Sequence, residues 1–153
     1  MVGLIEYLSR HYRRVVEVGI GNYAQVALAL RARGLSVVAT DIKPRVPGLP
    51  VVADDVTAPR LDIYRGAQAI YAVRPPPEII GDLKRLAQRL AVDLIVKPLA
   101  GEPLDGDLIS GAGSFFYLFP SRGPKEGATE TDERPSTVPA GTNQARPGAW
   151  VAR

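Results

Sequence analysis

The sequence predicts an α/β fold of Rossmann-like type, a three-layer sandwich with a mostly parallel sheet and helices on both faces. Three observations predict it. Short β-branched apolar runs alternate with helical apolar patterns up to Pro120. A glycine pair, Gly19-Ile20-Gly21, stands between the first such run and the helical pattern after it. Acidic residues follow the second and third runs, at Asp41 and at Asp54-Asp55. Strands separated by helices pair in parallel through right-handed crossovers, so the turns after each strand gather along one edge of the sheet, where such folds bind ligands.

The elements follow in order. Leu4, Ile5, Leu8 and Tyr12 recur at helical spacing, and Val15 to Val18 forms a short strand. Tyr23, Val26, Ala27 and Leu30 restore the helical period, with Asn22 placed to cap that helix. Leu35 to Thr40 reads as a second strand, Val51-Val52 as a very short third and Ala67 to Val73 as a fourth. After Pro75 to Pro77, the stripe Ile79, Ile80, Leu83, Leu86, Ala87 and Leu90 predicts a helix beginning near Glu78, and Leu94 to Val96 a fifth strand. Phe115 to Phe119, after the Gly111-Ala-Gly113 turn, reads as a late sheet strand. Residues 1–120 are expected to form one nucleotide-binding domain. Residues 121–153, rich in Pro, Gly, Ser, Thr and charge, are expected to be a disordered extension.

Composition narrows the chemistry. The chain has no cysteine and one histidine, His11, which excludes thiolate and histidine-based metal centres, so no metal site is expected. No apolar run approaches the roughly 20 residues of a membrane helix, and the expected location is cytoplasmic, without membrane contact. The formal net charge of +3 is spread along the chain. It permits a nucleic-acid partner without indicating one. A small-molecule cofactor is the expected ligand, and a protein partner or homo-oligomer is compatible with the aromatic strand at 115–119.

The first turn, Glu17-Val18-Gly19-Ile20-Gly21-Asn22, suits a nucleotide, because glycines allow close backbone approach and the next helix turns its free amides toward the ligand. Asp41 ends the second strand, twenty residues beyond Gly21, where a carboxylate can accept hydrogen bonds from both ribose hydroxyls. After the third strand Asp55 is the candidate contact to an adenine amine, with Val56 offering an apolar surface. Arg74, before Pro75 to Pro77, and Lys97, before Pro98, are the candidates for orienting an anionic acceptor.

The series Glu17-x-Gly19-x-Gly21, Asp41 and Asp55 resembles class I S-adenosylmethionine-dependent methyltransferases. Together with Asp54-Asp55-Val56-Thr57, Tyr71-Ala72-Val73-Arg74-Pro75-Pro76-Pro77-Glu78 and Val96-Lys97-Pro98-Leu99, it resembles a small archaeal group, uncharacterised protein family 0146, over about residues 3 to 119. The resemblance implies a Rossmann-like domain and, through the methyltransferase pattern, S-adenosylmethionine as cofactor, with Glu17 suited to its amino group or hydrogen-bond network. The acceptor is not identified. Methyltransferases of this class usually carry a third glycine where this chain has Tyr23. Gly19-Ile20-Gly21-Asn22-Tyr23-Ala24 also satisfies the dinucleotide pattern, which keeps NAD(P) and an oxidoreductase as an alternative. A non-enzymatic nucleoside-binding module acting with a partner is the other.

Overall fold

The computed structural model describes residues 1–46, 48–99, 101 and 103–121, together with the backbone of 151–152. Helix α1 (Val2–His11) buries Leu4, Tyr7 and Leu8 and carries Arg10 in its last turn, whose charge complements the carboxyl end of its dipole. Strand β1 (Arg14–Val18) follows, then α2 (Gln25–Ala32), which buries Val26, Ala27 and Leu30 on one stripe. Next come β2 (Ser36–Asp41), β3 (Val51–Ala53) and, after a 3-10 turn at Leu61–Tyr64, β4 (Ala69–Val73). A 3-10 turn over Pro77–Ile79 leads into α3 (Ile80–Leu90), which buries Leu83, Leu86 and Ala87. The chain continues through β5 (Asp93–Lys97), β6 (Asp107–Gly111) and β7 (Ser114–Phe119); Val151–Ala152 forms a short strand, β8.

These strands form one sheet in the order β3-β2-β1-β4-β5-β7-β6-β8. Pairing is parallel from β3 through β5 and antiparallel at β7 and beyond. The sheet is wound in opposite directions from β1 and β4, so the switch of order lies between them, where the carboxyl ends open a crevice. Alternation along the strands divides the core. Val15, Tyr71 and Ile95 meet α1 and α2 with Phe116, while Val16, Val18, Ile70, Leu94 and Val96 meet α3, Val56 and Tyr64. The expected Rossmann-like sandwich is the observed architecture.

Two local readings change. Tyr23 lies outside α2, whose capping residue is Ala24 and not Asn22. The reason is a turn: the Tyr23 N–H donates to the Ile20 carbonyl at 3.2 Å, so residues 20–23 close on themselves before the helix starts. The strand at 114–119 forms as expected, but it is reversed by a hairpin with β6, which carries only two large apolar residues and shows little periodicity. Phe116 and Tyr117 are buried, so this strand spends most of its aromatic surface on the core. Apart from Ser121 and the backbone of Val151–Ala152, the extension expected over 121–153 lies outside the described residues.

Candidate functional site

Strand register brings the singled-out residues to one edge. Val18 pairs with Thr40, Asp41 with Ala53 and Val73 with Lys97, so Gly19, Asp41, Asp54, Arg74 and Lys97 lie at the carboxyl ends of adjacent strands. Sequence separations of up to about eighty residues collapse to neighbouring turns.

The glycine loop is held against β2. The N–H groups of Gly19 and Ile20 both donate to the Thr40 carbonyl at 2.9 Å. Gly19 and Gly21 adopt φ of 72° and 61°, a region that side-chain-bearing residues rarely enter. A Cβ built at either glycine would meet nothing within 4 Å, so the loop borders open space that a side chain would occupy. Asp41 joins it: Oδ2 accepts from the Gly21 N–H at 2.5 Å and Oδ1 from the Lys43 N–H at 3.0 Å. A carboxylate oxygen has two lone-pair directions, so Asp41 keeps acceptor capacity toward the crevice.

Glu17 is placed differently from its neighbours. Its side chain is only 1% exposed, on the α1/α2 face, and Oε1 accepts from the Tyr71 hydroxyl at 2.8 Å. Burial pushes its carboxyl up to about 7, opposed by the Tyr71 hydrogen bond. It braces the first turn through Oε1, while Oε2 has no partner among the described residues.

The paired acids diverge. Asp54 turns inward, with a side chain 2% exposed, accepting from Tyr64 Oη at 2.9 Å and the Arg60 N–H at 3.0 Å. Asp55 is exposed; its Oδ1 accepts from the Thr57 hydroxyl at 2.7 Å and N–H at 2.9 Å, which holds it below the usual carboxylate range. Val56 is buried against the α3 side of the sheet and leaves little surface for a base. An apolar surface beside Asp41 is supplied instead by Ile42, 66% exposed.

On the other side of the switch point stand two cations. Arg74 adopts φ of 54°, and its N–H donates to the Lys97 carbonyl at 2.7 Å. A residue before proline usually takes an extended conformation, so its left-handed backbone is a departure from the sequence expectation. The Arg74 guanidinium lies 5.0 Å from the centroid of Tyr23, in the glycine loop. Lys97 Nζ donates to the Phe115 carbonyl at 2.7 Å and sits 4.0 Å from that ring's centroid; burial, then the charge of Arg74, lower its affinity for a proton.

Ile42, Leu99 (75% exposed) and Ser114 also belong to this edge and were not legible as site residues. Ile42 directly follows Asp41 and Leu99 lies two residues after Lys97, both just beyond the carboxyl end of a strand, and that spacing is the available signal. A separate concavity of 910 Å³, lined by Lys84, Gln88, Ala91, Phe119 and Ser121, opens at the amino end of β5. Its Lys84 is engaged by Asp105 at 2.6 Å, and ligands of doubly wound sheets bind at the other edge. Among the described residues no group of three His, Cys, Asp or Glu could hold a metal, and no helix is long and apolar enough to cross a membrane.

The model of an uncharacterised protein family, UPF0146, matches residues 1–119. The UPF0146 protein of Archaeoglobus fulgidus is 40% identical over 121 residues, covering 77% of this chain and 93% of that protein. That of Methanothermobacter thermautotrophicus is 43% identical over 111 residues, covering 69% and 82%. Among solved structures, a sugar N-methyltransferase of a Streptoalloteichus species is 17% identical with a TM-score of 0.46, covering 71% of this chain and 53% of that one. DesVI of Streptomyces venezuelae is 12% identical with a TM-score of 0.46, covering 72% and 54%. The chain spans about half the length of these two structures.

Proposed function

We infer from this site that the chain, which belongs to the uncharacterised protein family UPF0146, is a minimal S-adenosylmethionine-dependent methyltransferase. The observation that carries the reading is the contact between Asp41 and the Gly21 N–H at 2.5 Å. It sets a carboxylate, a glycine cradle and the amino end of α2 around one opening beside the switch point.

The residues fit the cofactor. Asp41 accepts the ribose hydroxyls with the lone pairs left by its two backbone contacts. Gly19 and Gly21 admit the ligand where a Cβ would stand, and Ile42 offers an aliphatic surface to the base, with Asp55 available to its amine. Glu17 positions the first turn through Tyr71 by one carboxylate oxygen and offers the other to the amino group or hydrogen-bond network of the cofactor. S-adenosylmethionine, when bound, supplies a methyl group on a sulfonium that is already a good leaving group. The chain's task is then alignment, with Arg74 and Lys97 on the acceptor side, and no nucleophile or metal is needed.

A dinucleotide reading is less well supported. The order expected of that fold places a sixth parallel strand beside β5. Here the place is taken by the reversed strand β7, whose Phe115 carbonyl holds Lys97. A second reading, a non-enzymatic nucleoside-binding module completed by a partner, is favoured by one feature, the exposure of Ile42 and Leu99 on the rim.

Calorimetric titration with S-adenosylmethionine, S-adenosylhomocysteine and NAD in parallel tests the reading. Binding of the first two alone is expected. Binding of NAD alone overturns the cofactor choice, and binding of none overturns the methyltransferase.

A further inference from the structure

We propose that Arg74, Lys97 and Ser114 form a receptor for a phosphate group, carried by the molecule that accepts the methyl group. The receptor itself stands on geometry; only its assignment to the acceptor rests on the methyltransferase reading.

The two cations are brought together by the sheet. Parallel pairing of β4 with β5 matches Val73 to Lys97, and the Arg74 N–H donates to the Lys97 carbonyl at 2.7 Å. Each cationic group is placed against an aromatic face, Arg74 at 5.0 Å from Tyr23 and Lys97 at 4.0 Å from Phe115. Neither forms an ion pair among the described residues. Asp41 accepts from Gly21 and Lys43, Asp54 from Tyr64 and Arg60, Asp55 from Thr57 and Glu17 from Tyr71, and none of these four accepts from either cation. Two like charges held side by side without a counter-charge repel each other, and an anion between them removes that cost. Partial burial of Lys97 makes the cost larger and the anion more favourable.

A third donor stands one residue along the chain from the aromatic ring that faces Lys97. Ser114 precedes Phe115, the residue whose carbonyl anchors Lys97, and its hydroxyl is buried with no hydrogen-bond partner. A buried hydroxyl left unpaired is unfavourable, and such groups usually have a partner. Guanidinium, ammonium and hydroxyl suit a dianion with three terminal oxygens better than a carboxylate with two. The backbone of Arg74 points the same way. Its φ of 54° is strained for arginine and easy for glycine, and strain of this kind persists where a side chain is needed in place.

The edge is consequently polarised. The ribose-binding acid stands on the β2 side of the glycine loop and the phosphate receptor on the β4–β5 side, with Tyr23 between them. That arrangement suits a cofactor and a phosphorylated acceptor bound together.

The test uses the full chain, titrated with inorganic phosphate at constant ionic strength, with acetate in parallel and with and without S-adenosylhomocysteine. Phosphate is expected to bind in preference to acetate and alongside S-adenosylhomocysteine. Arg74→Gly, which suits the local backbone, is expected to weaken phosphate at least about tenfold while leaving the fold intact. Ser114→Ala is expected to weaken phosphate and raise the melting temperature, a combination that a purely structural hydroxyl does not produce. Absence of phosphate binding to the folded chain, equal binding of acetate, or unchanged affinity in Arg74→Gly overturns the receptor, whatever the cofactor result. Competition between phosphate and S-adenosylhomocysteine overturns its assignment to the acceptor. Phosphate binding without S-adenosylhomocysteine binding upholds the receptor and removes the methyltransferase reading instead.

Discussion

The Tyr71 hydroxyl donates to Glu17 Oε1 at 2.8 Å across the parallel pair β1–β4, and both side chains are buried. The first turn of the crevice thus rests on a carboxyl that burial pushes up to about 7. In the unfolded chain the same group titrates near 4.5. The folded state therefore binds the proton more tightly, and the stability contributed by the neutral carboxyl is full below the unfolded value and lost as pH rises toward 7. Glu17→Gln is expected to flatten the pH dependence of unfolding between about pH 4.5 and 7 and to stabilise the chain above it, by roughly 3 kcal/mol. Denaturant melts across that range measure it. Tyr71→Phe is expected to raise the Glu17 midpoint further, because the bond it removes favours the ionised form.

Asp41 serves both loop and ligand. Asp41→Ala is expected to weaken binding of S-adenosylhomocysteine by about 1.5 to 3 kcal/mol, because a charged acceptor is lost. Asp41→Asn, which keeps one oxygen, is expected to fall between. Unchanged affinity in a folded Asp41→Ala chain, measured by calorimetry, removes Asp41 from the cofactor site.

Substitution of the cradle glycines separates stability from binding. Gly19→Ala and Gly21→Ala meet no atom within 4 Å but require positive φ, so each is expected to cost about 1 to 2 kcal/mol of stability. The larger effect is expected in ligand affinity, since the new methyl group enters the crevice. Thermal melts with and without S-adenosylhomocysteine distinguish the two effects.

The adjacent acids are expected to behave oppositely. Asp54→Ala leaves the Tyr64 hydroxyl and the Arg60 N–H without their acceptor, and is expected to destabilise by about 1 to 3 kcal/mol. Asp55→Ala is expected to leave the melting temperature nearly unchanged and to alter only affinity for the adenine-bearing ligand.

Gly106 offers a check on the hairpin. A Cβ there would lie 2.9 Å from the Leu118 carbonyl and from the Phe119 ring. Gly106→Ala is expected to cost about 1 to 3 kcal/mol through forced displacement of β7, read as a lower melting temperature.

Much of this architecture was legible before any coordinate. The central parallel strands are short β-branched runs buried on both faces, as at Val15–Val18, and the helices repeat their buried residues every three to four positions, as at Leu83, Leu86 and Ala87, so both carry their signal in their own residues. The β6–β7 hairpin was only half legible: the aromatic strand is evident, while Asp107–Gly111 lacks a period and becomes a strand by pairing with it. Asn22 looked like a cap by residue type, yet the turn at residues 20–23 starts the helix later.

Residue type and order along the chain were sufficient for the alternation of strands and helices, and hence for the edge on which the glycine loop, Asp41, Arg74 and Lys97 meet. Tertiary packing alone decided how each of them is used. Glu17 is bonded to Tyr71 because the β1–β4 register sets the two side by side on the α1/α2 face, Asp54 faces inward while Asp55 faces water, and Arg74 stands beside Lys97 because β4 and β5 pair in that register. Local periodicity is written within a few residues, whereas the partner of a charged side chain is selected by register between strands far apart in the chain, and that selection sets which charges are neutralised and which remain free for a ligand.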